Sequence, residues 1–462
     1  MNQWINEQMN IMKFGGTSVE DANAIHRLIK IVRRELPKQI IVVVSACSGV
    51  TNELIRCAHT VKDGSESDAM NIVESLKKRH INISDELLKE NRLAEVNRKI
   101  EEYFDEIKNI VRGVNLLGEL TSRTLDLITS YGERLSSLII HSALEVSGIR
   151  SSLVNARKVM ITDSYFGSAK PLVDKIEERA KKYFLPVLEN NQVVITQGFI
   201  GATEQGITTT IGRGGSDYSA ALFGSVLNAE IIQIWTDVDG MMSADPRIVH
   251  EARLIRKLSF NEASELAYFG AKILHPNTIL PAVQKNIPVK ILNSRRPEVE
   301  GTLILKTGDS DDKTVVKSIA SKKGIIVINI ASSRMFLAHG FLAKLFSIFA
   351  DHEKSVDVVS TSEVSVSLTI DNDKDLEKIK IDLDQIGEIR IAKSKGIVCI
   401  VGEGLKKTPG IAARAFTALA KLNINIEMIS EGASDINLTL VVNESDVDKA
   451  VRVLHDEFFG NV

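Results

Sequence analysis

Through the larger N-terminal part of the chain, short runs of β-branched and aliphatic residues alternate with stretches of helical period. The runs IIVVVSA (Ile40 to Ala46), QVVITQGF (Gln192 to Phe199), IIQIWTD (Ile231 to Asp237) and IPVKILN (Ile287 to Asn293) are nearly continuously apolar. Runs of that kind fit strands covered on both faces. Between them, segments such as EDANAIHRLIKIVRREL and SDYSAALFGSVLNA place apolar residues at helical spacing. The alternation predicts an α/β sandwich around a largely parallel sheet, with ligands bound beyond the carboxyl ends of the strands. Residues 62–112 are rich in lysine and glutamate and read as helices packed outside that sheet.

The pattern changes near KTGDSDDKT (Lys306 to Thr314), a polar, acidic stretch that reads as a linker over 306–313. Beyond it lies a weak internal repeat. One copy (324–395) runs GIIVINIASS, a helical GFLAKLFSIFADHE, VDVVSTS, VSVSLTID, a helical DKDLEKIKIDLDQI and EIRIAKSK. The other (396–462) runs GIVCIVGEG, PGIAARAFTALAKLN, INIEMISEGAS, INLTLVVN and ESDVDKAVRVLHDEFF, and lacks a closing strand. The unassigned segment TVVKSIASK (314–322) is the natural donor, so the two small domains are expected to interleave.

Composition narrows the class. The 462 residues are 44% hydrophobic and 25% charged, with a formal net charge of -3 that gives no reason to expect nucleic acid or an anionic membrane as partner. Cys47, Cys57 and Cys399 are scattered without CxxC spacing, which argues for a reducing compartment and against structural zinc or a disulfide framework. The start MNQWINEQMN lacks a signal-peptide pattern, and no apolar run has bilayer-spanning length; a cytoplasmic protein is expected.

Several clusters carry candidate chemistry. In MKFGGTSV, Gly15 and Gly16 follow a strand and sit beside Lys13; they can form a backbone nest for a phosphate, or only a tight strand-to-helix turn. In GRGGSDYSAA, Arg213, the pair Gly214 and Gly215, and a helix start make an anion site, while Ser216 or Asp217 alone would pass as N-caps. Ser130 and Glu133 have the spacing of a capping box. Lys272, in FGAKILHP, fits a helix C-terminus answering the dipole. Asp237, Asp239 and Asp245 lack the spacing of a calcium loop, and no metal ligand set is assigned. Cys47 has no adjacent basic partner and reads as a small buried residue.

The order of KFGGTSV, SGVTN, SYGERLSS, GRGGSDYSAA, WTDVDG, DPR and FGAKILHP resembles that of the aspartate kinases, which have the amino acid kinase fold, and the repeat resembles a tandem pair of ACT domains. The resemblance covers essentially the whole chain. It implies a three-layer αβα catalytic domain over 1–305, followed by two interleaved βαββαβ modules. It also implies ATP-dependent phosphorylation of the aspartate β-carboxylate, the first step toward lysine, threonine and methionine. The chain lacks the homoserine dehydrogenase of bifunctional relatives, so a monofunctional enzyme is expected. Phosphorylation of another small carboxylate such as glutamate, or a catalytically dead sensor, are the competing readings.

By the same resemblance, Lys13, Asp217 and Lys272 are catalytic. Thr51, Glu133, Arg213, Gly214, Gly215 and Ser216 bind substrate, with Glu133 on its α-amino group. Lys13, Phe14, Gly15, Gly16, Thr236, Asp237, Met242, Arg247, Lys272 and Ile273 bind nucleotide. Met242 stands where close relatives often carry tyrosine; it pads an adenine ring but donates no hydrogen bond. Mg2+ is expected mainly on the nucleotide phosphates.

Effector positions map onto Met335, Ala338, Phe341, Leu342, Ser355, Val356, Asp357, Ser362 and Glu363, most like the lysine-inhibited enzymes, with threonine as the alternative effector. Helix N–H groups after Gly340 suit a carboxylate, and Asp357 and Glu363 suit ammonium groups; the plain alternative makes Asp357 a surface residue at a strand start. A homodimer through the ACT domains is expected, with a tetramer as the larger assembly.

Overall fold

The computed structural model describes residues 9–269, 276–307, 315–332, 339–431 and 435–460. They form two compact units. The first spans 1–241, 256–260 and 273–307; the second takes in 242–255, 261–272 and 308–462. The expected linker over 306–313 lies largely outside the described residues.

The first unit is built on an eight-stranded sheet. Its strands are β1 (Met9–Phe14), β2 (Gln39–Val44), β3 (Ser151–Leu153), β4 (Val193–Gln197), β7 (Ile231–Thr236), β8 (Lys257–Ser259), β9 (Val289–Asn293) and β10 (Thr302–Leu305). The short strands β5 (Ile200–Ala202) and β6 (Thr208–Thr210) form a separate antiparallel hairpin. The sheet order is β3-β4-β2-β1-β7-β9-β10-β8, parallel throughout except where β10 runs against β9. The predicted strands therefore form the central sheet. Ile41, Val42, Val43 and Val44 on β2 are fully buried, as strands covered by helices on both faces require. Each such side chain contributes about 1.5–3 kcal/mol by leaving water. The lysine- and glutamate-rich stretch forms the antiparallel-packed helices Glu66–Leu87 and Glu90–Leu117, which add Leu76, Ile83, Ile100, Phe104 and Ile107 to the core of this unit.

The second unit holds one six-stranded antiparallel sheet: β11 (Ser318–Ala331), β12 (Val359–Thr361), β13 (Ser365–Ile370), β14 (Glu388–Val401), β15 (Met428–Glu431) and β16 (Asn437–Asn443). The order is β12-β13-β11-β14-β16-β15. Ser318 to Lys323 lie against Val401 to Gly396, at the edge of the second copy. The donor does not end there. It continues into the first strand of the first copy, while the closing strand of that copy continues into the first strand of the second. The ladder passes between copies through register shifts at Lys323/Ile325 and Ile325/Val327. Gly324 (φ 75°) and Ser394 (φ 57°) take left-handed backbone there. An extra residue accommodated as a bulge bends the strand without ending it.

Each copy keeps its own core. Leu345, Phe349, Ile379 and Leu383 pack on β11 and β13 in one; Ala415, Leu419, Val451 and Leu454 pack on the other. No helix among the described residues is long and apolar enough to cross a membrane.

Candidate active site

A cavity of about 480 Å³ opens at the carboxyl ends of the central strands of the first unit. The turns around it are tied by backbone bonds: Gly15 N–H donates to the Trp235 carbonyl (3.0 Å), Ser45 N–H to Phe14 (3.1 Å) and Ser48 N–H to Gly16 (3.1 Å). Lys13, Gly15, Gly16, Thr51, Glu133, Arg213, Gly214, Gly215, Ser216, Asp217 and Thr236 all line it.

The first turn is built without left-handed backbone. Gly15 has φ -71°, and Gly16 is not left-handed either. A Cβ on Gly16 would stand 3.0 Å from the Ala46 carbonyl oxygen and 3.3 Å from Ser48. Gly16 permits close approach of two strand-end turns; no special backbone angles are needed.

Lys13 leaves the end of β1 and its ammonium meets Asp217 Oδ1 at 2.6 Å; the two side chains are 10% and 14% exposed. Asp217 sits in the first turn of the helix Gly215–Leu227, whose cap is Gly214 at φ 72°. Ser216 and Asp217 are thus inside the helix and do not cap it, contrary to the simpler reading of that motif. Gly214 holds the left-handed cap, which leaves both polar side chains at the cavity wall. Arg213, one residue before the cap, is exposed, and no hydrogen bond or ion pair holds its guanidinium among the described residues.

Glu133 resolves the capping-box question. Ser130 makes no side-chain cap; its hydroxyl donates to the Leu127 carbonyl at 2.7 Å. Glu133 instead accepts from Ala46 N–H through Oε1 (3.1 Å), while buried Oε2 has no partner. Burial pushes its pKa up to about 8, against the lowering pull of the Ala46 N–H. Gly132 explains how the helix gets so near, since a Cβ there would be 2.7 Å from Ala46 Cβ. Cys47 donates to the Val19 carbonyl, and burial raises its thiol to about 12, so it is inert at neutral pH.

Other expected residues are placed elsewhere. Phe14 is fully buried and stacks on Trp235 at 6.0 Å. Asp237 is exposed beside Thr236, whose hydroxyl donates to it (3.2 Å). Met242 and Arg247 lie in a segment of the second unit, where Arg247 pairs with Asp245 at 2.6 Å. Lys272 and Ile273 lie outside the described residues. Sequence reasoning missed Ser45, Ala46, Asn52 and Phe199, which also line the cavity. Phe199 has φ 64°, an uncommon state for an aromatic residue. No composition or spacing signal marks it.

Within the second unit, Phe341 and Leu342 open the helix Phe341–Asp351 after Gly340 (φ 85°). Ser362 closes the β12–β13 turn with its hydroxyl 2.7 Å from that of Ser365, and Glu363 is exposed beside it. Ser355 and Val356 precede Asp357, whose side chain is only 3% exposed and pairs with Lys322 at 3.0 Å. Tyr268 also donates its hydroxyl to Asp357. The surface-residue reading of Asp357 is thereby overturned: an ion pair and a phenol hold it inside. Met335 and Ala338 lie outside the described residues.

Known proteins share this fold and this pairing of domains. The amino acid kinase family model matches residues 8–293, and an ACT domain model matches 398–458. Lysine-sensitive aspartokinase 3 of Escherichia coli is 36% identical, covering 97% of this chain and 99% of that one. The chloroplastic aspartokinase 1 of Arabidopsis thaliana is also 36% identical, over 97% of this chain and 80% of its own. The crystal structure of E. coli aspartokinase III with aspartate and ADP (R-state) superposes with TM-score 0.83 at 35% identity, covering 98% of this chain and all of that one. Its complex with lysine and aspartate (T-state) gives 0.83 at 34% identity, over 98% and 99%. The chain belongs to the amino acid kinase family and, within it, to the aspartokinases. It is an ATP-using phosphotransferase with a carboxyl group as acceptor.

Proposed function

We propose that the cavity grips L-aspartate between Arg213 on the α-carboxylate and Glu133 on the α-ammonium, and turns the β-carboxylate toward phosphates held by Lys13, Gly15 and Gly16. The observation that carries this reading is the convergence of Lys13, Glu133, Arg213 and Asp217 on one cavity. The acceptor carboxylate, with an ordinary pKa of about 4, is already ionised at neutral pH and needs no general base. The work left is positioning and charge stabilisation on the transferred phosphoryl group. Asp217 orients the Lys13 ammonium for that task, supported by their 2.6 Å contact. Thr51 and the first turn of the helix Gly215–Leu227 complete the substrate wall. Thr236 and Asp237 belong to the nucleotide side. Of the cavity's carboxylates, Asp217 is engaged by Lys13 and Glu133 is held neutral below about pH 8. That donor set fits Mg2+ carried mainly on the nucleotide phosphates, where it would neutralise their charge.

The second unit senses an amino acid, most consistent with lysine. Support comes from the similarity to a lysine-sensitive relative and from the acidic side chains of Asp357 and Glu363 in the unit that also holds the helix start after Gly340. Lysine binding shifts the enzyme toward a less active arrangement only by its differential affinity for two states. Association through the ACT sheets gives a homodimer, and the enzyme works in the cytoplasm. A coupled ADP-release assay with a panel of small carboxylates tests the reading. Turnover with L-aspartate, suppressed by lysine, is expected; preference for glutamate or N-acetylglutamate would refute the substrate assignment.

A further inference from the structure

A buried carboxylate outside the cavity ties its two substrate-binding elements together. Asp126 lies in the helix Ser122–Thr129 and is 2% exposed. No ion pair reaches it among the described residues. Its Oδ2 accepts the N–H of Gly167 (2.9 Å) and of Thr210 (3.0 Å), and its Oδ1 accepts the Thr210 hydroxyl (2.6 Å). A buried anion without a countercharge is unfavourable unless its lone pairs are filled, so these three bonds hold both loops firmly.

Thr210 ends β6, three residues before Arg213. The loop around Gly167 braces the same segment: Ala169 N–H donates to the Thr210 carbonyl (2.9 Å), and a Cβ on Gly212 would stand 3.2 Å from Ser168 Oγ. On the other side, the Asp126 backbone carbonyl accepts Ser130 N–H at 3.1 Å, where its helix runs directly into Tyr131–Val146, the carrier of Glu133. One side chain thus links the segment leading to Arg213 with the helix that places Glu133.

We propose that Asp126 is a positioning residue that sets the separation between Arg213 and Glu133 and thereby the fit of the amino-acid substrate. The inference rests on the reading of Arg213 and Glu133 as substrate-binding groups. Its test is steady-state kinetics on the full chain, with both substrates varied. Asp126→Ala should raise the aspartate KM about tenfold or more while kcat and the ATP KM stay within about twofold, because only the amino-acid grip loosens. Asp126→Asn should restore an aspartate KM within about twofold of wild type, since one amide oxygen accepts both N–H groups and the amide nitrogen donates to the Thr210 hydroxyl. Thr210→Val, which deletes a single bond, should raise the aspartate KM about threefold.

An unchanged aspartate KM in Asp126→Ala, or a parallel loss in kcat and both KM values, overturns the proposal, as does an Asn variant no better than Ala. Should Asp126→Ala fail to fold, Thr210→Val decides alone, and an unchanged aspartate KM overturns the proposal. Arg213→Ala separates the premise from the inference. An aspartate KM indifferent to Arg213→Ala removes the premise; one raised by Arg213→Ala but indifferent to Asp126→Ala removes only the inference.

Discussion

The catalytic cavity and the proposed effector region use the same kinds of groups in opposite states. Around the cavity, Glu133 keeps one buried oxygen without a partner and Arg213 stands unheld at the wall among the described residues, so neither is tied to another side chain. In the second unit, Asp357 is occupied by the chain's own Lys322 and Tyr268. Lys322 presents to Asp357 the same chemical group that a lysine effector would bring. A site whose groups are not tied to other side chains binds without breaking an ion pair, whereas an internally satisfied one binds only by exchanging partners. That exchange makes the second region suited to switching between states.

Three substitutions probe this contrast from its strong end. Lys13→Ala should lower kcat at least about a hundredfold, about 2.7 kcal/mol of barrier, in a protein of unchanged fold. Near-normal turnover would reduce the Lys13–Asp217 pair to a structural ion pair. Arg213→Lys should raise the aspartate KM about tenfold, because an ammonium cannot reproduce the bidentate fork. Unaltered aspartate kinetics would take Arg213 out of the site. Glu133→Gln should raise the aspartate KM and flatten its pH dependence.

The sign of that dependence follows from burial. The free-enzyme Glu133 pKa is raised to about 8, so below that pH the group is protonated and a poor partner for an ammonium. The wild-type aspartate KM should therefore fall as pH rises through about 8. The same shift acts on folding: the native state holds a proton that the unfolded chain releases above the ordinary value of 4.5, so this group's contribution to stability declines between 4.5 and about 8. Glu133→Gln should remove that decline in a denaturation series.

At the weak end of the contrast, Asp357→Ala should leave uninhibited turnover within about twofold while relieving inhibition by lysine, because the effector's ammonium loses its buried acceptor. Inhibition that survives the substitution would place the effector elsewhere.

The sheet of the first unit was legible because its strands are buried on both faces and so read as unbroken β-branched runs. The continuity of β11 and β14 was not. Gly324 and Gly396 looked like strand starts, but the ladder runs through both, with a register shift at Gly324. Lys13, Thr51, Glu133, Arg213 and Asp217 were legible through their motifs, although the local alternatives for Glu133 and Asp217 needed three-dimensional evidence to fall. Phe199 and Asp126 carry no local signature. One depends on a left-handed backbone, the other on loops 41 and 84 residues away in the chain. Lys322 reaches Asp357 across 35 residues, and no spacing rule links the two.

That Glu133 rests protonated and ionises to hold the substrate's ammonium is tested by calorimetric titration of L-aspartate at pH 7 in two buffers of different ionisation enthalpy. The raised pKa predicts release of nearly one proton per aspartate bound by the wild-type protein and none by Glu133→Gln. Binding without proton release in the wild type would mean that Glu133 does not ionise to hold the substrate.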